Sequence, residues 1–214
     1  MRGFDLLNGV LILVPLVLSL TVHEYAHAWS AFRLGDDTAA RMGRLTLNPL
    51  VHMDLLGTVI LPLLGIPFGW AKPVPVDPMR FRREVPWRTG MALTAAAGPL
   101  ANVLLAIAGT VAYGLLARLA PDLLAGVRGL QPLLAMVITL NVTLALFNLL
   151  PIPPLDGSRI VDGFLPLRLR PGWEAFSRLA PFLIIGVMIF GGRIIAGPSG
   201  YVLGLLQRLL DLIA

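Results

Sequence analysis

Two histidines and a glutamate stand together in the segment His23-Glu24-Tyr25-Ala26-His27. On a helix, residues four apart share a face, so His23 and His27 can offer two ring nitrogens to one metal ion. Glu24, one position round, can reach a water bound to that ion and act as a base towards it. The three residues sit near the end of an apolar run, Leu11 to Phe32. Ionisable groups are costly in such a setting and usually bind or react with something; the competing reading is a polar knot that ties helices together.

Two histidines leave a metal ion incomplete, so a third protein ligand is expected, with one position open. The chain has no cysteine, which removes thiolate ligands, disulfides and a cysteine nucleophile together. His52 and Asp54 lie in NPLVHMDLLG, and Asp156 lies in NLLPIPPLDGSRI. Asp156 is the better candidate. The prolines before it stop any helix, and Gly157 permits a close backbone approach; its competing role is an N-cap of the segment after Gly157. Asp54 reads more simply as a turn or cap residue.

The elements that must position these residues are membrane helices. Of 214 residues, 57% are hydrophobic and only 14% charged, and mean hydropathy is +0.81. About a quarter of an ordinary soluble domain is charged, so the fold class is an all-α polytopic membrane protein. The net charge of +5 reflects basic loops between apolar runs, which excludes nucleic acid as the partner and leaves the lipid bilayer. We expect about four to six membrane segments in one membrane-embedded domain, residues 1–214, with a core over 4–160 and C-terminal segments over 179–214. The first helix is predicted from Phe4 to Leu34, retained rather than cleaved as a signal, and ended by Gly35-Asp36-Asp37. Further spans are predicted at Thr89–Leu119, Leu130–Leu150 and Leu179–Ala196, with a separate short segment at Tyr201–Ile213 and a polar loop over Pro151–Pro171. The stretch RLTLNPL suggests an extended strand. Leu55–Phe68 is short, broken by Gly and Pro, and predicted re-entrant; Gly69–Val76 is predicted as a strand or loop beside it. The positive-inside rule then places the basic groups flanking residues 33–88 and 159–178 in the cytoplasm, at the same end as HEYAH and Asp156.

Three segments in order, HEYAH, AAAGPLAN (Ala95–Asn102) and NLLPIPPLDG, resemble the site-2 protease family of intramembrane zinc metalloproteases. GRLTLNPLVHMD and GWAKPVPV are similar to its compact branch, which lacks PDZ and CBS domains. The resemblance implies a Zn2+ cofactor held by His23, His27 and Asp156 in a multi-pass protein of the cell membrane. It further implies that Glu24 takes the proton of a zinc-bound water, which attacks a peptide carbonyl of a transmembrane protein or peptide substrate. Asn148 resembles an asparagine near the family's site and is a candidate substrate or oxyanion contact. Asn141, one heptad earlier, is a weaker one; for both, interhelical hydrogen bonding is the alternative. His52 is an accessory ligand, a gate or a plain loop histidine. Gly98-Pro99 is expected to serve close helix packing. Trp70 and Lys72 belong either to a strand over Gly69–Val76 that pairs with an unwound substrate or to an interfacial anchor.

Two other functions use the same residues. A metal transporter or metal sensor needs a relay of ligands across the membrane, and the later spans carry none. A non-catalytic protein that captures transmembrane helices has no need of Glu24 beside the metal ligands. The sequence leaves the oligomeric state and the physiological substrate open.

Overall fold

The computed structural model describes residues 6–64 and 69–214; Phe4 and the stretch 65–68, on which parts of two expected segments fall, lie outside the described residues. Three long helices carry the architecture. Helix α1 spans Leu6–Leu34, α2 spans Trp87–Leu119 and α3 spans Leu130–Asn148. They are succeeded by a short α4 at Asp156–Phe164, α5 at Arg170–Ser177 and a long α6 at Ala180–Ile213. Among the described residues four helices are long and apolar enough to cross a membrane, the lower end of the expected number.

Helix α2 is the centre, packing against α1, α3, α4 and α6. Its packed side is built from small residues, including Gly90, Ala92, Ala95, Gly98, Ala106 and Gly109, all buried. Without a hydrophobic force between helices in lipid, such residues gain contact by letting backbones approach. Polarity is turned inward. Ser19, Thr21, His23, Glu24, Thr94, Asn102, Thr110 and Asn141 are buried, whereas Leu100, Leu104, Phe182, Ile189 and Phe190 face outward.

The end of α1 falls where the sequence placed it. Gly35 adopts a left-handed conformation (φ 112°), and its amide reaches back to the Phe32 carbonyl. The Leu34 carbonyl then accepts the Arg82 N–H at 2.8 Å, which brings the chain that precedes α2 back over the end of α1.

Four expectations need correction. No strand forms among the described residues. RLTLNPL instead turns, because the Asn48 side chain accepts the Leu50 N–H and Pro49 opens a 3-10 turn at Pro49–Val51. Gly69–Val76 makes a single antiparallel bridge, Met53 to Ala71, since Pro73 and Pro75 have no N–H to continue a ladder. The re-entrant/β element between the first two clear spans is therefore not supported. After Asp54 the chain forms wide helical turns at Leu55–Ile60 and a last turn at Leu61–Leu63. The Asp54 carboxylate caps them on the Gly57 N–H, as a cap residue should. The loop after Pro151 contains α4, whose first residue is Asp156. Finally, the two expected C-terminal segments are one helix running through Pro198. In hydrocarbon a single lost N–H bond is a weaker reason to break a helix than exposing several backbone groups would be.

Candidate metal centre

His23 and His27 project from one face of α1 towards α2, and α2 answers with residues spaced four apart. The Thr94 carbonyl meets His27, Asn102 meets His23, and Gly98 lies between them. The order is reversed along α2 because the two helices run antiparallel. Gly98 forms the floor of the site. A Cβ there would collide with His27 Nε2 and stand 2.6 Å from His23 Cε1. The AGP glycine thus serves the imidazoles as well as packing. Replacing Gly98 with alanine is expected to displace both rings and weaken metal affinity about 10- to 100-fold, read by chelator competition; unchanged affinity would remove Gly98 from the site.

Asp156 reaches the same point from the other side of the molecule. Leu149 and Leu150 end α3, and α4 starts directly beneath their carbonyls. A Cβ on Gly157 would overlap both carbonyl oxygens, so only glycine lets the chain turn there. Ser158 Oγ donates to the Leu155 carbonyl at 2.7 Å and secures the first turn. Farther along, Arg88 pairs with Asp162 at 2.9 Å, and Gly163 abuts Ala92. These contacts lock α4 on α2. Asp156 is not a cap: its side chain makes no capping bond and points at the histidines instead.

The three donor atoms form a small triangle. His23 Nε2 and His27 Nε2 are 3.0 Å apart, and Asp156 Oδ2 lies 3.2 and 3.3 Å from them. Ligands at about 2.0–2.1 Å around a tetrahedral zinc ion stand about 3.3 Å apart, so the triangle has the size of one face of such a site. The hydrogen-bond partners make the case stronger. His23 Nδ1 lies 2.6 Å from Asn102 Oδ1 and His27 Nδ1 lies 2.7 Å from the Thr94 carbonyl oxygen, both pure acceptors. Each ring must therefore carry its proton on Nδ1, a tautomer assigned from its partner. Both Nε2 lone pairs then face one another and Asp156 Oδ2, which is buried and has no hydrogen-bond donor. Three converging acceptors suit a cation held between them. Among the described residues these three side chains are the one group of His and acids close enough to share a metal ion.

Glu24 is buried next to His23, and its Oε2 accepts the Val74 N–H at 2.8 Å. Pro73 and Pro75 leave Val74 as the lone amide donor at that point of the chain. The segment is fixed on both sides. Thr58 Oγ1 donates to the Trp70 carbonyl, the Lys72 N–H donates to the His52 carbonyl, and Arg44 donates to the Lys72 carbonyl at 2.6 Å. The Asp77 N–H is held by buried Asp36 at 2.7 Å.

The structure does not gather the remaining candidates at the triangle. His52 is buried with Nε2 on the Thr46 carbonyl at 2.8 Å and stands outside the metal group; it anchors the segment over Glu24. The Trp70 ring covers Gly57, and the Lys72 backbone is engaged as described. Asn148 donates to the Leu144 carbonyl of its own helix at 3.0 Å. Asn141 is fully buried and bonded to Asn102 and Ser19. Sequence reasoning passed over Asn102, Ser19 and the Val74 amide. Asn102 carried a usable signal, a lone amide in an apolar span four residues from Gly98, and Ser19 stands four before His23. Nothing in the sequence marks a backbone N–H.

Comparison with known proteins places these residues in a larger group. The model of peptidase family M50 matches residues 11–190. The chain is 42% identical over 160 residues to the Bacillus subtilis protein named "Putative zinc metalloprotease YwhC", covering 74% of this chain and 71% of that one. It is 33% identical to the Mycolicibacterium smegmatis protein named "Putative zinc metalloprotease Rip2", covering 84% of this chain and 66% of that one. A Mycobacterium tuberculosis protein of the same name is 30% identical over 95% of this chain and 74% of its own length. No solved structure matches the chain.

Proposed function

The chain belongs to peptidase family M50, and on that premise we propose that it is an intramembrane zinc endopeptidase. It hydrolyses peptide bonds in or near transmembrane segments of membrane protein substrates. The observation that carries this reading is the triangle of His23 Nε2, His27 Nε2 and Asp156 Oδ2 with Glu24 alongside, buried among membrane helices. All four belong to one membrane-embedded catalytic domain, in which α6 forms the C-terminal part.

His23, His27 and Asp156 would hold a zinc ion, which when bound would supply a Lewis acid to polarise the scissile carbonyl and acidify a water. Glu24 takes a proton from the attacking water as the water oxygen bonds to the carbonyl carbon. Glu24 then passes the proton to the nitrogen as the C–N bond breaks, so its carboxylate starts and ends the cycle ionised. The Val74 N–H orients that carboxylate. Replacing Val74 with proline deletes the donor and is expected to lower kcat roughly tenfold with zinc content unchanged, the worth of one hydrogen bond to a charged group. Equal kcat in the two proteins would leave Glu24 oriented by something else.

The basic loops support a placement near the cytoplasmic face. With no further span among the described residues between α1 and α2, Arg41, Arg44, Lys72, Arg80, Arg82 and Arg83 fall on one side, joined by Arg168, Arg170 and Arg178 after α3. The end of α1 and the start of α4, which carry the triangle, belong to that side.

The test is made on the full chain purified in detergent. Zinc should be bound, single-span membrane substrates should be cut, and cutting should cease on chelation and return with added zinc. A chain that binds zinc and cuts no member of a substrate panel would favour the transporter, sensor or helix-binding readings.

A further inference from the structure

Asn102 is fully buried in the middle of α2, and the chemistry above gives it no role. Its carboxamide is held by both ends. Nδ2 donates to Asn141 Oδ1 at 2.7 Å and to the Ser19 carbonyl at 3.3 Å, which turns Oδ1 towards His23 Nδ1. Asn141 is held in the same way, its Nδ2 donating to Ser19 Oγ at 2.8 Å and to the Val137 carbonyl at 2.8 Å. Ser19 Oγ in turn donates to the Pro15 carbonyl at 2.6 Å. Donors therefore run in one direction, from His23 through Asn102, Asn141 and Ser19 to Pro15. A backbone carbonyl can only accept, so the far end fixes the polarity of every link. The chain joins α1, α2 and α3 and has no exposed member: Ser19, Asn102 and Asn141 are each 0% exposed.

We propose that Asn102 is a positioning residue that holds His23 with its proton on Nδ1 and its Nε2 lone pair on the metal, and that Asn141 and Ser19 set the direction of that contact. The proposal rests on the reading of His23, His27 and Asp156 as zinc ligands. His27 is oriented by a backbone carbonyl, which no side-chain substitution can remove. His23 depends on a side chain, and its hydrogen-bond partner is therefore the one that a substitution can remove. An acceptor on the non-ligating nitrogen also makes a ligand ring more basic, and losing such a partner commonly costs 10- to 100-fold in metal affinity. Asn141, a weak candidate for substrate contact with interhelical hydrogen bonding as the alternative, makes interhelical hydrogen bonds here.

The experiment measures zinc affinity of the purified full chain by chelator competition, with Co2+ absorption as a reporter of ligand geometry. Asn102→Leu keeps the volume and deletes the acceptor; affinity should fall about 10- to 100-fold and the cobalt bands should shift. Asn102→Asp keeps an oxygen on His23 Nδ1 but loses the Nδ2 donor, so Asn141 must turn its amide to donate to the second oxygen; affinity should fall less than in Asn102→Leu. Asn141→Leu should give a smaller loss of the same sign as Asn102→Leu. If Asn102→Leu does not fold, the Asn141→Leu and Asn102→Asp pair decides. Wild-type affinity in Asn102→Leu or in Asn141→Leu overturns the proposal, as does an Asn102→Asp protein as weak as the leucine variant. Asp156→Ala is the control for the premise. If it loses zinc while the Asn102 variants do not, this inference fails alone; if it keeps zinc, the ligand assignment fails first.

Discussion

Asp156→Ala is expected to lose zinc almost completely, with affinity lower by about a thousandfold. Structural zinc sites are worth roughly 10–16 kcal/mol, so one of three protein ligands accounts for about 4 kcal/mol, or about three decades in affinity. The site offers no substitute. His52 and Asp54 are committed to the Thr46 carbonyl and the Gly57 N–H, and among the described residues no other acid or histidine joins the group. The loss should be specific to the metal-bound state. Asp156 Oδ2 has no hydrogen-bond donor to forfeit, and α4 keeps its Arg88–Asp162 pair and its Gly163–Ala92 contact. In the presence of chelator, wild type and variant should therefore melt at similar temperatures. Added zinc should raise Tm in the wild type and leave the variant where it was, because only a ligand bound to the folded state stabilises it. A variant that still gains stability from zinc would show that the carboxylate is not a ligand.

How much of this was legible in the sequence depends on which force decided each element. HEYAH, the spans and LDG reflect local rules: residues four apart share a helix face, long apolar runs enter the bilayer, and proline before glycine breaks one helix and starts another. Asp156 could be preferred because the prolines before it stop the helix and Gly157 permits a close backbone approach. The polar network was harder to see, because hydrogen bonding between α1, α2 and α3 depends on which residues of separate helices come level. Asn102 and Asn141 are 39 positions apart in sequence and 2.7 Å apart in space. Of the strand or loop expected over Gly69–Val76, the loop is what forms, for the opposite reason. Its prolines are local signals and exclude a helix, but they also allow only the Met53–Ala71 bridge and single side-chain anchors. Dividing the end of the chain at GPSG applies a rule drawn from water, where a broken helix can be hydrated; α6 continues through it.

Glu24→Gln is expected to abolish cleavage, lowering kcat by about 10²–10⁴-fold while zinc remains bound. Glutamine has the shape of glutamate, and its carbonyl oxygen can accept the Val74 N–H as Oε2 does now, so the segment over the site need not move. What it lacks is basicity: an amide cannot take a proton from water and return it to a leaving nitrogen. The variant therefore separates chemistry from architecture. Zinc content, Tm and the zinc dependence of Tm should match wild type, and only turnover should fall. Buried beside His23 and bonded to the Val74 amide, Glu24 has no structural duty that glutamine would not perform, which is why a carboxylate at this depth calls for a chemical explanation. Comparable cleavage by the two proteins would exclude Glu24 as the base. Loss of zinc from the variant would instead mean that Glu24 contributes to holding the metal, and the three-ligand assignment would need a fourth member.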